Sequence, residues 1–118
     1  AGPGPKGSVL TAAFELEGVQ FTALNGGPHF KFNEAISFHI DCASQDEVDY
    51  YWDKLSDGGQ IQQCGWLKDK FGVSWQVVPS VLPRMLSDGD AAKAERVMRV
   101  MMTMKKLDIA ELEKAYRG

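Results

Sequence analysis

The sequence predicts an α+β domain built on a βαβββ unit and finished by C-terminal helices. Three observations carry that prediction. Ala35 to Cys42 alternates, with Ile36, Phe38, Ile40 and Cys42 facing one way and Ala35, Ser37, His39 and Asp41 the other. Ser44-Gln45-Asp46-Glu47 is a capping box, and it opens a helix whose apolar face is Val48, Tyr51, Trp52 and Leu55. Gly58-Gly59 stops that helix, and two strands follow, Gln60 to Lys68 and Val73 to Val78, joined by a charged loop.

Taken from the start, Gly2 to Gly7 reads as a Gly/Pro-rich loop. Ser8 to Glu17 is a strand, favoured by Val9, Thr11 and Phe14, and Gly18 turns it. Val19 to Leu24 is its hairpin partner and ends in the breaker Asn25-Gly26-Gly27-Pro28. His29 to Glu34 is a polar connector to the alternating strand. Beyond the helix, Gly72 closes the charged loop and Pro79, which lacks an N–H for a ladder, ends the last strand. Val73, Trp75 and Val77 share one face of that strand; Ser74, Gln76 and Val78 share the other. Such a strand lies between a core and something wet.

After Pro79 the pattern turns helical. Ser80 to Leu86 is a short helix with proline in its first turn. Asp90 caps a longer one through Lys106, which carries Met98, Met101, Met102 and Met104. Asp108-Ile109-Ala110-Glu111 is a second capping box and opens a final helix to Tyr116. The methionines read as a flexible apolar face packed on the sheet or on another subunit.

At 118 residues the chain fits one domain. A net charge of −3 supplies no electrostatic footprint for nucleic acid or an anionic membrane surface. No apolar run approaches the roughly 20 residues of a membrane span. Two cysteines, Cys42 and Cys64, are too few for a disulfide framework and lack zinc spacing. The expectation is a reduced, cytoplasmic protein with both cysteines as small buried hydrophobes.

Chemistry-bearing residues are few. The chain has no nucleophile elbow, no P-loop and no G-x-G-x-x-G after a strand. His29 follows a turn and reads as exposed. His39 lies on the polar strand face, where it is either a cleft base, donor or ligand, or a structural histidine. His39, Asp41, Glu15 and Glu17 are the candidate metal ligands, but they show no recognisable ligand spacing. Lys68-Asp69-Lys70 reads as a solvated salt-bridge cluster at a loop tip. Parity assigns Trp75 to packing and leaves Trp66 open.

Leu24 to Pro28, Ala35-Ile36-Ser37-Phe38, Asp49 to Leu55, Cys64 to Pro79 and the tail Val100 to Ile109 together resemble a PhnB-like family. That family sits in the glyoxalase/bleomycin-resistance, or vicinal oxygen chelate, superfamily, and its members often carry a demethylubiquinone methyltransferase label. The resemblance implies paired βαβββ modules, each an open sheet curled around a cleft, in a homodimer. It places a glyoxalase-like domain at residues 1–79, with a partial first module at 1–34 and a second at 35–79. Residues 80–118 are then a helical extension of the same domain. The first module shows only its closing hairpin, so a strand and helix of about 30 residues are expected upstream of Ala1.

The superfamily's metal enzymes take ligands from the first and last strands of each module. Those positions fall here on Ala35 and Gln76, while the first module offers Thr22, Leu24 and Asn25 and no acid. The leading expectation is therefore a small-molecule-binding homodimer with a metal-poor cleft and no cofactor. The cleft would be lined by Ser37, His39, Ser74 and Gln76, with Thr22 and Asn25 from the other module and Trp66 at the rim. One alternative is a lyase, isomerase or dioxygenase with a divalent metal held partly by the missing segment. Another is a non-catalytic interaction protein that works through its Met-rich helices. Methyl transfer has no support, since no glycine-rich loop joins a strand to a helix.

Overall fold

The structure, a computed structural model, describes residues 4–118; Ala1, Gly2 and Pro3, where the expected Gly/Pro-rich loop begins, lie outside it. The chain divides into two compact units, Ala1–Lys31 and Phe32–Gly118.

The first unit is a hairpin of β1 (Thr11–Leu16) and β2 (Val19–Leu24), antiparallel from Thr11↔Leu24 to Leu16↔Val19. Glu17 and Gly18 both turn with positive φ, 50° and 79°, which matches the twist of a two-residue hairpin. Phe14 and Phe21 lie directly opposite, with rings stacked at 5.6 Å. The strand residues of this ribbon are exposed apart from the half-buried Phe21.

The second unit holds the core. Its elements run β3 (Ser37–Cys42), α1 (Gln45–Ser56), β4 (Gln60–Ile61), β5 (Trp66–Lys68) and β6 (Ser74–Pro79). Three helices follow: α2 (Val81–Leu86), α3 (Ala91–Met101) and α4 (Ile109–Arg117). The sheet order is β3-β6-β5-β4, with β3 parallel to β6 and the other pairs antiparallel. A parallel pair needs a crossover, and α1 with β4 and β5 provides it.

The Ser44 side chain caps α1 by accepting from the Glu47 N–H, while Glu47 accepts from the Ala43 N–H. One stripe of α1 then covers one sheet face: Cys42, Val48, Trp52, Leu67 and Val77 form a buried cluster. Ile40, Tyr51, Leu55 and Trp75 pack around it. A second cluster joins Val78 of β6 to Leu82, Met85, Val97, Leu107 and Leu112 from the C-terminal helices and the segment before α4. Gln45 ties the two together, donating to the Leu107 carbonyl at 3.1 Å and accepting from the Ile109 N–H at 2.8 Å.

Several details depart from the pattern reading. The stretch from Gln60 to Lys68 is not one strand but two, split by a tight turn in which Cys64 and Gly65 both have positive φ, 57° and 84°. Their N–H groups donate to the Met104 and Lys105 carbonyls at 2.8 Å each. The long helix stops at Met101 instead of Lys106, where the bonding tightens to i→i−3: the Thr103 and Met104 N–H groups donate to the Val100 and Met101 carbonyls at 3.1 and 3.0 Å. Cys42 is fully buried as expected, whereas Cys64 is half-buried, its Sγ 3.6 Å from the Met101 carbonyl. Met101 and Met104 pack on the second cluster, while Met98 and Met102 stay exposed.

Candidate functional site

The sheet has two unlike faces. Side chains at paired ladder positions point the same way, so the register defines each face residue by residue. Phe38 pairs with Trp75, Ile40 with Val77, and Leu67 with Trp75; this face lies under α1. Ser37 pairs with Ser74, His39 with Gln76, Trp66 with Gln76, and Lys68 with Ser74; this is the opposite face. At its far end Asp41 pairs with Val78, which the C-terminal helices bury.

Five of the expected site residues therefore meet on one face of one unit: Ser37, His39, Trp66, Ser74 and Gln76. His39 is exposed, Ser37, Trp66 and Gln76 are half-buried, and Ser74 is buried. The Gln76 amide donates to Ser37 Oγ at 3.0 Å, which joins β3 to β6 and leaves its carbonyl oxygen to accept. Thr22 and Asn25 belong to the hairpin unit. Thr22 stands opposite Ala13, and the Asn25 side chain donates to the Val9 carbonyl at 3.2 Å, closing the end of the ribbon.

Sequence reasoning missed one further residue of this face and misjudged the loop residue beside it. Lys68 is not part of a solvated cluster at a loop tip: its side chain is only 29% exposed and its ammonium pairs with the Glu34 carboxylate. That contact, chiefly the Lys68 hydrogen bond, holds Glu34 below the usual carboxylate range. Asp69 is no solvated charge either. It accepts from the Phe71 and Val73 N–H groups at 2.9 and 3.0 Å and from Trp75 Nε1 at 2.9 Å. The signal available in the sequence was the alternation itself, which puts Lys68 on the same side as Trp66.

Nucleophilic and metal chemistry find little to work with here. Burial first, then the Glu47 and Asp41 carboxylates, push the Cys42 thiol up to about 11, so it is not a thiolate at neutral pH. No three His, Cys, Asp or Glu side chains converge among the described residues. Of the positions where the superfamily would place ligands on this module, Ala35 has no side-chain donor atom and Gln76 offers only a neutral amide oxygen in place of a carboxylate. These residues do not fit a divalent metal.

One strand, a covering helix and three further strands, closed by a parallel pair of first and last strands, define a glyoxalase-like α+β fold. A family model described as 3-demethylubiquinone-9 3-methyltransferase matches residues 1–78. Among solved structures, the PhnB protein from Bacillus cereus is 34% identical, with a TM-score of 0.60 over 66% of this chain and 70% of that one. Protein PA1353 from Pseudomonas aeruginosa is 20% identical, with a TM-score of 0.54 over 65% and 69% of the two chains, a likeness of fold. Comparison with the curated proteins finds no match. The chain belongs to the PhnB-like, 3-demethylubiquinone-9 3-methyltransferase family.

Proposed function

We propose that this protein binds a small polar molecule on the open face of its four-stranded sheet, without a metal. One observation carries the reading. The face turned away from α1 presents Ser37, His39, Trp66 and Gln76 in register, where an antiparallel or mixed sheet of this size would otherwise bury apolar side chains or expose scattered charge. His39 and the Gln76 carbonyl supply a donor and acceptor pair at matched ladder positions, and the Trp66 ring supplies a flat apolar surface beside them.

Methyl transfer is not part of the proposal. The strand-to-helix connections of the second unit, Ala43-Ser44 and Ser80, contain no glycine, so neither forms the loop in which a methyl-donor nucleotide ordinarily rests. The family's description is thus a guide to fold. We also propose that the protein is a homodimer and that β1 and β2 form the contact. Leu16, Val19 and Leu24 are exposed there, at 43%, 58% and 68%, and two strands need further strands or a packing layer for independent stability. Sedimentation of the full chain against residues 32–118 tests this, since only the full chain should run as a dimer.

The binding reading is tested by replacing His39 with Ala. Folding should be intact, because the imidazole is exposed, while the thermal shift produced by binding molecules in a polar-metabolite screen should fall by several degrees. Hits that stabilise His39→Ala as well as the parent remove His39 from the site.

A further inference from the structure

Ser74 is 1% exposed, and its Oγ is the buried side-chain polar atom that has no hydrogen-bond partner among the described residues. Folded proteins seldom leave a buried hydroxyl unpaired, and one that is left so asks for an explanation. The neighbours of Ser74 on its own face are Ser37 on β3 and Lys68 on β5. Ser37 Oγ already accepts from Gln76. Lys68 comes from one side of β6 and Glu34, just ahead of β3, from the other, so their ion pair spans the strand that carries Ser74. The carboxylate neutralises the ammonium and still leaves the hydroxyl without an acceptor.

Two features make this arrangement displaceable. Glu34 lies outside any strand and its side chain is 51% exposed, whereas Lys68 is fixed on β5 and is 29% exposed. A pair of that kind is weak, since water competes for both partners. An oxyanion that is not tethered ahead of β3 could take the ammonium's charge and also accept from the Ser74 hydroxyl, satisfying two groups where Glu34 satisfies one.

We infer that Lys68 and Ser74 form an oxyanion-binding subsite for the carboxylate or phosphate group of a small ligand, and that Glu34 is a tethered stand-in which the ligand displaces. The inference rests on the proposed use of this sheet face and names the chemical class it takes. Ser37 stands next to the subsite as a second hydroxyl, and His39 and Gln76 lie further along the same face, where the remainder of the ligand would extend. Glu34 sets a threshold: it keeps the ammonium neutralised until an oxyanion of better fit arrives.

The test is an amide chemical-shift titration of the full-length chain with sodium phosphate and, separately, sodium acetate, each against sodium chloride at matched ionic strength. Saturable shifts at Lys68, Ser74 and Ser37 are expected, and the anion that binds more tightly distinguishes phosphate from carboxylate. Glu34→Gln removes the competitor and should tighten binding about fivefold, the factor by which a weak closed pair outnumbers the open state. In that background Lys68→Met should abolish binding and Ser74→Ala should weaken it several-fold. Lys70→Met, which removes a lysine from the neighbouring exposed loop, should leave it unchanged. Absence of saturable binding in Glu34→Gln, or binding that survives Lys68→Met, overturns the subsite. So does equal loss from Lys70→Met, because the effect is then one of general charge. The two readings fail separately: anion binding that persists in His39→Ala supports the subsite even if the role of His39 falls, and metabolite stabilisation that needs His39 but not Lys68 sinks the subsite alone.

Discussion

Asp69 concentrates on one carboxylate what the β5–β6 loop needs to hold its shape. Oδ1 takes two backbone N–H groups of the loop, and Oδ2 takes the indole N–H of Trp75. Without the last bond a half-buried ring would carry an unmatched donor at the edge of the first core cluster. Asp69→Asn separates these roles. The amide oxygen can still accept from the loop, but its NH2 then faces the indole N–H, donor against donor. A loss of about 1–2 kcal/mol is expected, read from the urea midpoint at unchanged slope. An unchanged midpoint would mean that the Trp75 bond contributes nothing. The Lys68-Asp69-Lys70 triplet also shows where local reading stops. Three adjacent charges look alike in sequence, yet one braces a loop, one pairs across a strand and one, Lys70, lies exposed over the Phe71 ring.

Among the elements, β3, α1 and β6 were legible because their evidence is local. Alternation sets the strand faces, and Ser44 with Glu47 fixes where the helix starts. The β4–β5 turn was not legible. Cys64 is a poor residue for a positive φ, and what holds it there is a pair of carbonyls, Met104 and Lys105, from far along the chain. The end of α3 was misplaced because no Gly or Pro marks Met101, and the helix ends in a tightened turn of i→i−3 bonds from Thr103 and Met104. The polar face was half legible: parity grouped Ser37 with His39 and Ser74 with Gln76, but the reach of Lys68 to Glu34 is a tertiary contact. Gly65 tests the turn. A Cβ there would sit 2.9 Å from the Val77 carbonyl and 3.0 Å from Leu107 Cδ1, on a backbone with φ of 84°. Gly65→Ala should therefore cost about 2–4 kcal/mol, adding overpacking to a conformational penalty. Gly18→Ala has a similar φ, 79°, with nothing within 4 Å of the added carbon, and should show only the conformational part, about 1 kcal/mol. Equal losses in the two variants would show that the close approach at Gly65 is relieved at no cost.

At the scale of the molecule, the family match ends at Val78, yet Val78 is the residue through which the sheet enters the second core cluster. The C-terminal helices thus complete the fold, and their loss would act on the sheet in three ways. It would uncover Val78, take both hydrogen-bond partners of Gln45 in the Leu107–Ile109 segment, and strip the Met104 and Lys105 carbonyls from the Cys64–Gly65 turn. Exposing one valine costs about 1.5–3 kcal/mol, and each of the four hydrogen bonds exchanged for water about 0.5–1.5 kcal/mol more. Together these approach the 5–15 kcal/mol that a whole domain has in hand. Every buried residue among those described lies between Cys42 and Leu112, so the converse deletion should be tolerated. A chain of residues 32–118 should melt in one cooperative transition, and a chain of residues 1–79 should show none, by calorimetry and near-ultraviolet circular dichroism. A cooperative transition in 1–79 would mean that the first cluster alone supports the sheet and that α2, α3 and α4 are an appendage to it.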